Sequence, residues 1–135
     1  MKRALSMCAL LLCALLGPLP AGGAAPARAA SEHVLRVCER GGVSYRVDGQ
    51  GRVRSVTFGL RALDGRQHQV QSYDRQGRLT GVTVRLTGFA GRVLDVRGTF
   101  DARGRLVSER GYRAAHFETP LGALLRPVPD RVACT

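Results

Sequence analysis

One pattern recurs three times and leaves few folds open to the chain: Val47-Asp48-Gly49-Gln50-Gly51-Arg52-Val53, Tyr73-Asp74-Arg75-Gln76-Gly77-Arg78-Leu79 and Phe100-Asp101-Ala102-Arg103-Gly104-Arg105-Leu106. Each reads apolar-Asp-x-x-Gly-Arg-apolar, and the aspartates stand 26 and 27 residues apart. The aspartate carboxylate can accept from backbone N–H groups a few residues on. The glycine can take the positive φ that closes a type I turn with a G1 bulge. The flanking apolar residues then end one strand and begin the next, so the repeat predicts β-hairpins.

Gly-Arg dipeptides at 51–52, 65–66, 77–78, 91–92 and 104–105 place a turn every 12 to 14 residues. That interval fits a strand of 8–10 residues plus a short turn, with successive turns alternating between the two ends of a sheet. One end carries the Asp-x-x-Gly turns. The other carries Arg40-Gly41-Gly42, Asp64-Gly65, a favoured type I′ pair, and Gly88-Phe89-Ala90-Gly91. The predicted strands are 34–40, 43–48, 52–62, 66–74, 78–87, 92–101 and 105–113. Alternation puts Val43, Tyr45, Val47, Val56, Phe58, Leu60, Val82, Val84, Leu86, Leu94, Val96 and Phe100 on dry faces. Thr57, Gln69, Thr83, Arg85, Asp95 and Arg97 fall on wet ones.

The Gly-Arg interruptions recur before three helical turns could form. A single helix is expected late, with Thr119 as cap, Pro120 at the first position and Leu121 to Arg126 making one or two turns. Beyond Pro127-Val128-Pro129, residues Arg131 to Cys134 are expected to add a short eighth strand beside Val34 to Cys38. The fold class is therefore all-β: an antiparallel up-and-down meander of seven or eight strands. A small closed or strongly curled barrel is favoured because closure removes exposed edges. An open sheet covered by the irregular C-terminal segment 114–135 is the alternative. An outer-membrane barrel would need an apolar lipid face and aromatic girdles, and the chain has no Trp.

Residues 1–29 have the order of parts of a secretory signal peptide: Lys2 and Arg3, an apolar run from Ala4 to Leu16, Gly17-Pro18, and Ala27-Arg28-Ala29 before the expected cleavage. As an uncleaved anchor, that run falls short of the roughly 20 residues that span a bilayer. A lipoprotein would need small residues before its Cys, and Cys8 follows Met7 while Cys13 follows Leu12. Export to the periplasm or the extracellular space is thus expected. It leaves a single domain at 30–135 with no transmembrane segment. Cys38 and Cys134 remain as the one available pair, and an oxidising compartment favours a structural disulfide between them.

The part from residue 30 carries 18 arginines, no lysine and ten acids, a net charge of +8. Arginine offers a planar fork suited to phosphate and carboxylate, whereas a GC-rich coding bias would also raise its count. In the meander, Arg52, Arg75, Arg78, Arg103 and Arg105 share the Asp-x-x-Gly end and form the candidate anion-binding set. Arg40, Arg61, Arg66, Arg92 and Arg113 lie towards the other end.

Catalytic and metal signals are weak. His33, His68 and His116 have no zinc-ligand spacing, and Glu109 and Glu118 form no recognisable acid–base pair. Asp48, Asp74 and Asp101 lack the dense oxygen ligands of calcium loops, so turn capping accounts for them. The serines lack a nucleophile-elbow context. No enzyme activity, cofactor or metal is expected.

Tyr73-Asp74-Arg75-Gln76-Gly77-Arg78-Leu79-Thr80 resembles the YD or RHS-type repeat of bacterial surface and toxin-shell proteins. Phe100 to Leu106 is close to it, and Val47 to Val53 replaces the aromatic. The resemblance covers about half of the chain after residue 30 and implies stacked hairpins serving as scaffold, with no activity carried over. The functional expectation is a binding module for an anionic glycan, an anionic lipid or an acidic protein of the cell envelope. A secreted inhibitor or immunity-type protein, or a purely structural envelope protein, is the alternative. Nucleic acid fits poorly, because export removes the chain from the genome and stacking aromatics are scarce.

Overall fold

The computed structural model describes residues 34–135. The expected signal segment 1–29 and His33 lie outside the described residues. Seven strands, β1 (Arg36–Arg40), β2 (Val43–Val47), β3 (Val53–Ala62), β4 (Gly65–Tyr73), β5 (Leu79–Gly88), β6 (Gly91–Phe100) and β7 (Leu106–Arg113), form one antiparallel sheet in sequence order.

The repeat makes the turns it predicts. Gly51, Gly77 and Gly104 have φ of 74°, 80° and 75°, and their N–H groups donate to the carbonyls of Asp48, Asp74 and Asp101 at 2.9–3.1 Å. Each turn is followed by a bulge. Val47 opposes Val53 while Arg46 opposes Ser55, which leaves Arg54 as the extra residue; Thr80 and Val107 are extra in the same way.

At the other rim the loops are Gly41-Gly42, Leu63-Asp64 and Phe89-Ala90. The expected Asp64-Gly65 turn is therefore displaced by one residue. Gly65 pairs with Ala62, and a Cβ on it would run into the carbonyl oxygen of Thr87 on β5. Close approach of the next strand, rather than a positive φ, requires this glycine.

The sheet is open. β1 pairs only with β2 and β7 only with β6, so the favoured barrel closure is replaced by the alternative, an open sheet covered by the C-terminal segment. That segment supplies the apolar cover that closure would have given. It crosses one face of the sheet from β7 to β1 and adds Phe117, Leu121, Leu124, Leu125, Val128 and Val132 to two clusters. One comprises Val47, Val53, Val56, Phe58 and Val132. The other comprises Val82, Val84, Leu94, Val96 and Leu121. Leu121 sits over Gly98, where a Cβ would collide with its side chain.

Between the clusters lie Gln69 and Gln71 of β4, 0% and 1% exposed. Gln69 was expected on the wet face. The register instead puts it opposite Phe58 and Val84, and Gln71 opposite Val56 and Val82. Both amides bond to the strap. Gln69 Nε2 donates to the Leu124 carbonyl at 3.0 Å. Gln71 Nε2 donates to the Arg126 carbonyl at 3.0 Å, and its Oε1 accepts from the Arg126 N–H at 2.8 Å. Along β4 the row continues, with Gln69 Nε2 donating to Gln71 Oε1 at 2.8 Å and Gln71 Nε2 to the Tyr73 hydroxyl at 2.6 Å.

The strap is fixed at both ends as well. Arg113 Nη1 donates to the carbonyl of Thr119 at 2.6 Å, while Nη2 bonds Glu109 at 2.7 Å. At the far end the Val132 N–H donates to Gly51 O and the Val53 N–H to Asp130 O, at 2.9 and 3.1 Å. The expected eighth strand beside β1 is thus a single bridge, Arg52 to Arg131, at the start of β3. Cys134 still reaches Cys38 to form the disulfide, with Cα atoms 5.5 Å apart. The expected helix shortens to one 3-10 turn, Leu121–Leu124, preceded by an extended Pro120 with no side-chain cap. Leu125 is extended (φ −65°, ψ 139°), which carries the backbone on to meet Gln71.

Gln71→Ala strands the half-buried N–H and C=O of Arg126, and each orphaned buried group costs about 1–3 kcal/mol. The variant is expected to lose about 2–4 kcal/mol in urea unfolding, with faster hydrogen exchange at the Arg126 amide. Leu121→Ala is expected to lose about 2–5 kcal/mol through its cavity, without that local loss of protection.

Candidate anion-binding site

The three Asp-x-x-Gly turns join β2 to β3, β4 to β5 and β6 to β7, so they lie two strands apart, about 10 Å, along one rim. In every turn one carboxylate oxygen takes two backbone donors. Asp48 Oδ1 accepts from the N–H of Gln50 and Arg52 at 2.9 and 3.0 Å. Asp74 does the same with Gln76 and Arg78, and Asp101 with Arg103 and Arg105. This is the turn capping expected from the repeat.

The five candidate arginines separate into two kinds. Arg78 Nε lies 2.7 Å from Asp74 Oδ2, and Arg105 reaches Asp101 Oδ2 at 2.8 Å, so each is neutralised by the aspartate of its own turn. Arg52, Arg75 and Arg103 form no ion pair with another described residue. Of these, Arg52 and Arg75 come together, with Arg52 Nη1 donating to the Arg75 carbonyl at 3.2 Å. Both residues line one cleft of about 280 Å³ with Asp48, Gly49, Gln50 and Arg54. Arg103 stands on the third turn, outside that cleft.

Arg54 was absent from the sequence-derived set. It is the bulge residue after the first turn, its Nε is 3.9 Å from Asp48 Oδ2, and its buried Nη1 has no hydrogen-bond partner among the described residues. The signal available for finding it was positional. The bulge recurs after each turn, and only the first repeat puts an arginine there, where the others have Thr80 and Val107. On the far side of Arg52 a second cleft, of about 240 Å³, is lined by Gln76, Gly77, Asp130 and Arg131. Three arginines and Asp48 thus line the first cleft, Arg54 being the one ion-paired to Asp48 among the described residues, and Arg131 and Asp130 line the second.

All three aspartates are held below the ordinary value of 3.8. For Asp48, desolvation pushes upward but is outweighed by the N–H groups of Arg52 and Gln50 and by the charges of Arg54 and Arg52. For Asp74 and Asp101 the largest cause is the N–H of Arg78 or Arg105. Desolvation opposes it, and the same arginine's side chain adds to it. Burial pushes the Tyr73 phenol up, against the hydrogen bond from Gln71.

The remaining candidates disperse. His68 lies on the uncovered face of β4, opposite Gly59 and Arg85. His116 and Glu118 are exposed beyond β7, and Glu109 is bonded to Arg113. Among the described residues no group of three or more His, Cys, Asp or Glu side chains could hold a metal ion, and no helix is long and apolar enough to cross a membrane. A scan of protein-family models, a search of curated proteins and a search of solved structures each returned no match.

The lowered carboxylate values set an acid limit. A group with a depressed folded pKa gives its full stabilisation above its unfolded value and loses it as pH falls through the folded one. The turns are therefore expected to weaken progressively below pH 3.8, the ordinary aspartate value. Thermal unfolding of Asp74→Asn/Asp101→Asn should show a flatter melting temperature against pH across that acid range than the parent chain.

Proposed function

We propose that the chain is a non-catalytic binding module whose Asp-x-x-Gly rim holds the anionic group of an envelope component, such as a phosphorylated glycolipid or an acidic polysaccharide, after export to the periplasm or beyond. The observation that carries this reading is the cleft lined by Arg52, Arg54 and Arg75, with Asp48 as the only acid among its described lining residues. Like charges brought together oppose folding, and a phosphate or carboxylate seated among them reverses the sign of that interaction. Arg54 adds a donor that no described residue satisfies, which is the state expected of a group whose partner arrives with the ligand. The cleft is broad enough for one anionic head and has no apolar side chain among its lining residues, so recognition rests on charge and hydrogen bonding.

The test is NMR titration of the full chain with a phosphorylated disaccharide and, separately, an oligouronate, following the arginine Nε–H resonances. Shifts at Arg52, Arg54 and Arg75 are expected, with affinity falling as salt rises from about 50 to about 300 mM. Arg52→Ala/Arg75→Ala should weaken binding by about a hundredfold or more, since two charge-assisted hydrogen bonds are lost, each worth about 1.5–3 kcal/mol. Arg78→Ala should change it much less. Unshifted arginines with both probes, together with an envelope protein retained through high salt, would replace this reading with the inhibitor or immunity class.

A further inference from the structure

The opposite rim is built to a different chemistry. Its two-residue loops would ordinarily take Asn, Asp or Gly, and Gly41-Gly42 conforms. The other two lead with bulky apolar residues, Leu63 and Phe89, and both are fully exposed. Neither residue contributes to a core cluster, and neither suits the turn, so folding gives no reason for them. The tips project from the β3–β4 and β5–β6 hairpins, two strands or about 10 Å apart. A cleft of about 320 Å³ at this rim has Leu60, Ala62, Leu86 and Val93 on its wall together with Asp64 and Arg66, so apolar and cationic groups stand side by side behind the tips.

Just below the tips, on the face the strap leaves uncovered, runs a row of cations. Arg61 is register partner to Arg66, Arg66 to Thr87, and Thr87 to Arg92. Like charges directly opposite on adjacent strands are destabilising, yet none of these arginines has an ion-pair partner among the described residues. Arg92 is held over the Tyr112 ring at 4.4 Å. Asp64 is the one acid in the two tips.

Apolar side chains at the extremity of a rigid sheet, with arginines that have no ion-pair partner among the described residues two residues behind them, match the layering of an anionic bilayer surface. Residues rise about 3.3 Å per step along a strand. When Leu63 and Phe89 reach the acyl boundary, Arg61, Arg66 and Arg92 therefore stand at headgroup depth, where basic side chains are attracted to anionic lipid. We propose that the rim of Leu63 and Phe89 docks edge-on into the headgroup layer of an anionic membrane. The Asp-x-x-Gly rim, at the other end of the strands, then faces away from that surface and stays open to its own ligand.

The test is hydrogen-exchange mass spectrometry of the full chain with vesicles of phosphatidylglycerol and phosphatidylethanolamine, against vesicles of phosphatidylcholine alone. This site-resolved readout is insensitive to any contact made elsewhere by residues 1–33. Protection is expected at 60–66 and 86–92 with the anionic vesicles only. Leu63→Ser/Phe89→Ser should reduce that protection about tenfold, consistent with the loss of two apolar anchors, while leaving the melting temperature unchanged. Arg61→Gln/Arg66→Gln/Arg92→Gln should remove its salt dependence, and Arg52→Ala/Arg75→Ala should leave it intact, which separates this surface from the proposed anion cleft. Equal protection with both vesicle types, no protection at either tip, or protection undiminished in Leu63→Ser/Phe89→Ser would overturn the proposal.

Discussion

Two glutamine side chains hold the cover on this fold. Gln69 and Gln71 lie in the middle of the central strand, between two apolar clusters, and spend their amides on the backbone of an extended segment more than 50 residues away in sequence. A peptide crossing the face of a sheet cannot join the ladder of hydrogen bonds, which runs within the plane. Its N–H and C=O groups must find partners or remain solvated. The amides stand up from the sheet and supply both a donor and an acceptor, as an adjacent strand would. Prolines at 127 and 129 reduce the demand further, because they bring no N–H to satisfy. Burying the glutamines is tolerable only because the strap satisfies them, and the strap stays in place partly because they are there.

The hairpin repeat made most of the sheet legible from sequence. The Asp-x-x-Gly turns, the antiparallel order and most dry positions of β2, β3, β5 and β6 follow from local chemistry and period-two alternation, and the disulfide follows from there being only two cysteines after residue 30. Leu60, expected dry, is instead 45% exposed because it lies near the rim beyond the reach of the covering segment. What could not be read locally was the path of the chain after Ala114. Arg131 pairs with Arg52 and Phe117 faces Arg113; these are long-range or irregular contacts without a periodic signature. Gln69 shows the cost of judging a side chain by polarity alone. Counting register outward from the β3–β4 loop sets it opposite Phe58, so its burial was accessible through the turn although hidden in composition. The candidate site was legible in part: the rim was identifiable, but pairing within turns removes Arg78 and Arg105 from the free cations, and a bulge brings in Arg54.

The arrangement gives the sheet two unlike ends and two unlike faces. One face is covered by the strap. The other bears Arg46, Arg61, Arg66, Arg97 and Arg110 among serines and threonines. One rim has polar tips and a cleft of guanidinium groups, and the other has apolar tips. A bias toward arginine codons would raise the number of these residues, yet it does not account for leucine and phenylalanine at one set of turns and aspartate at every member of the other.

The order in which the strap follows the strands also constrains how the molecule comes into being. Leu121 and Val132 complete the two clusters, and they are synthesised after all seven strands. A nascent chain that has paired β1 through β7 still exposes two apolar surfaces and a pair of unsatisfied amides until that last stretch is released. The core therefore closes after translation of the sheet is finished, and a stop anywhere between Ala114 and Val132 would leave a sticky half-molecule rather than a shorter domain.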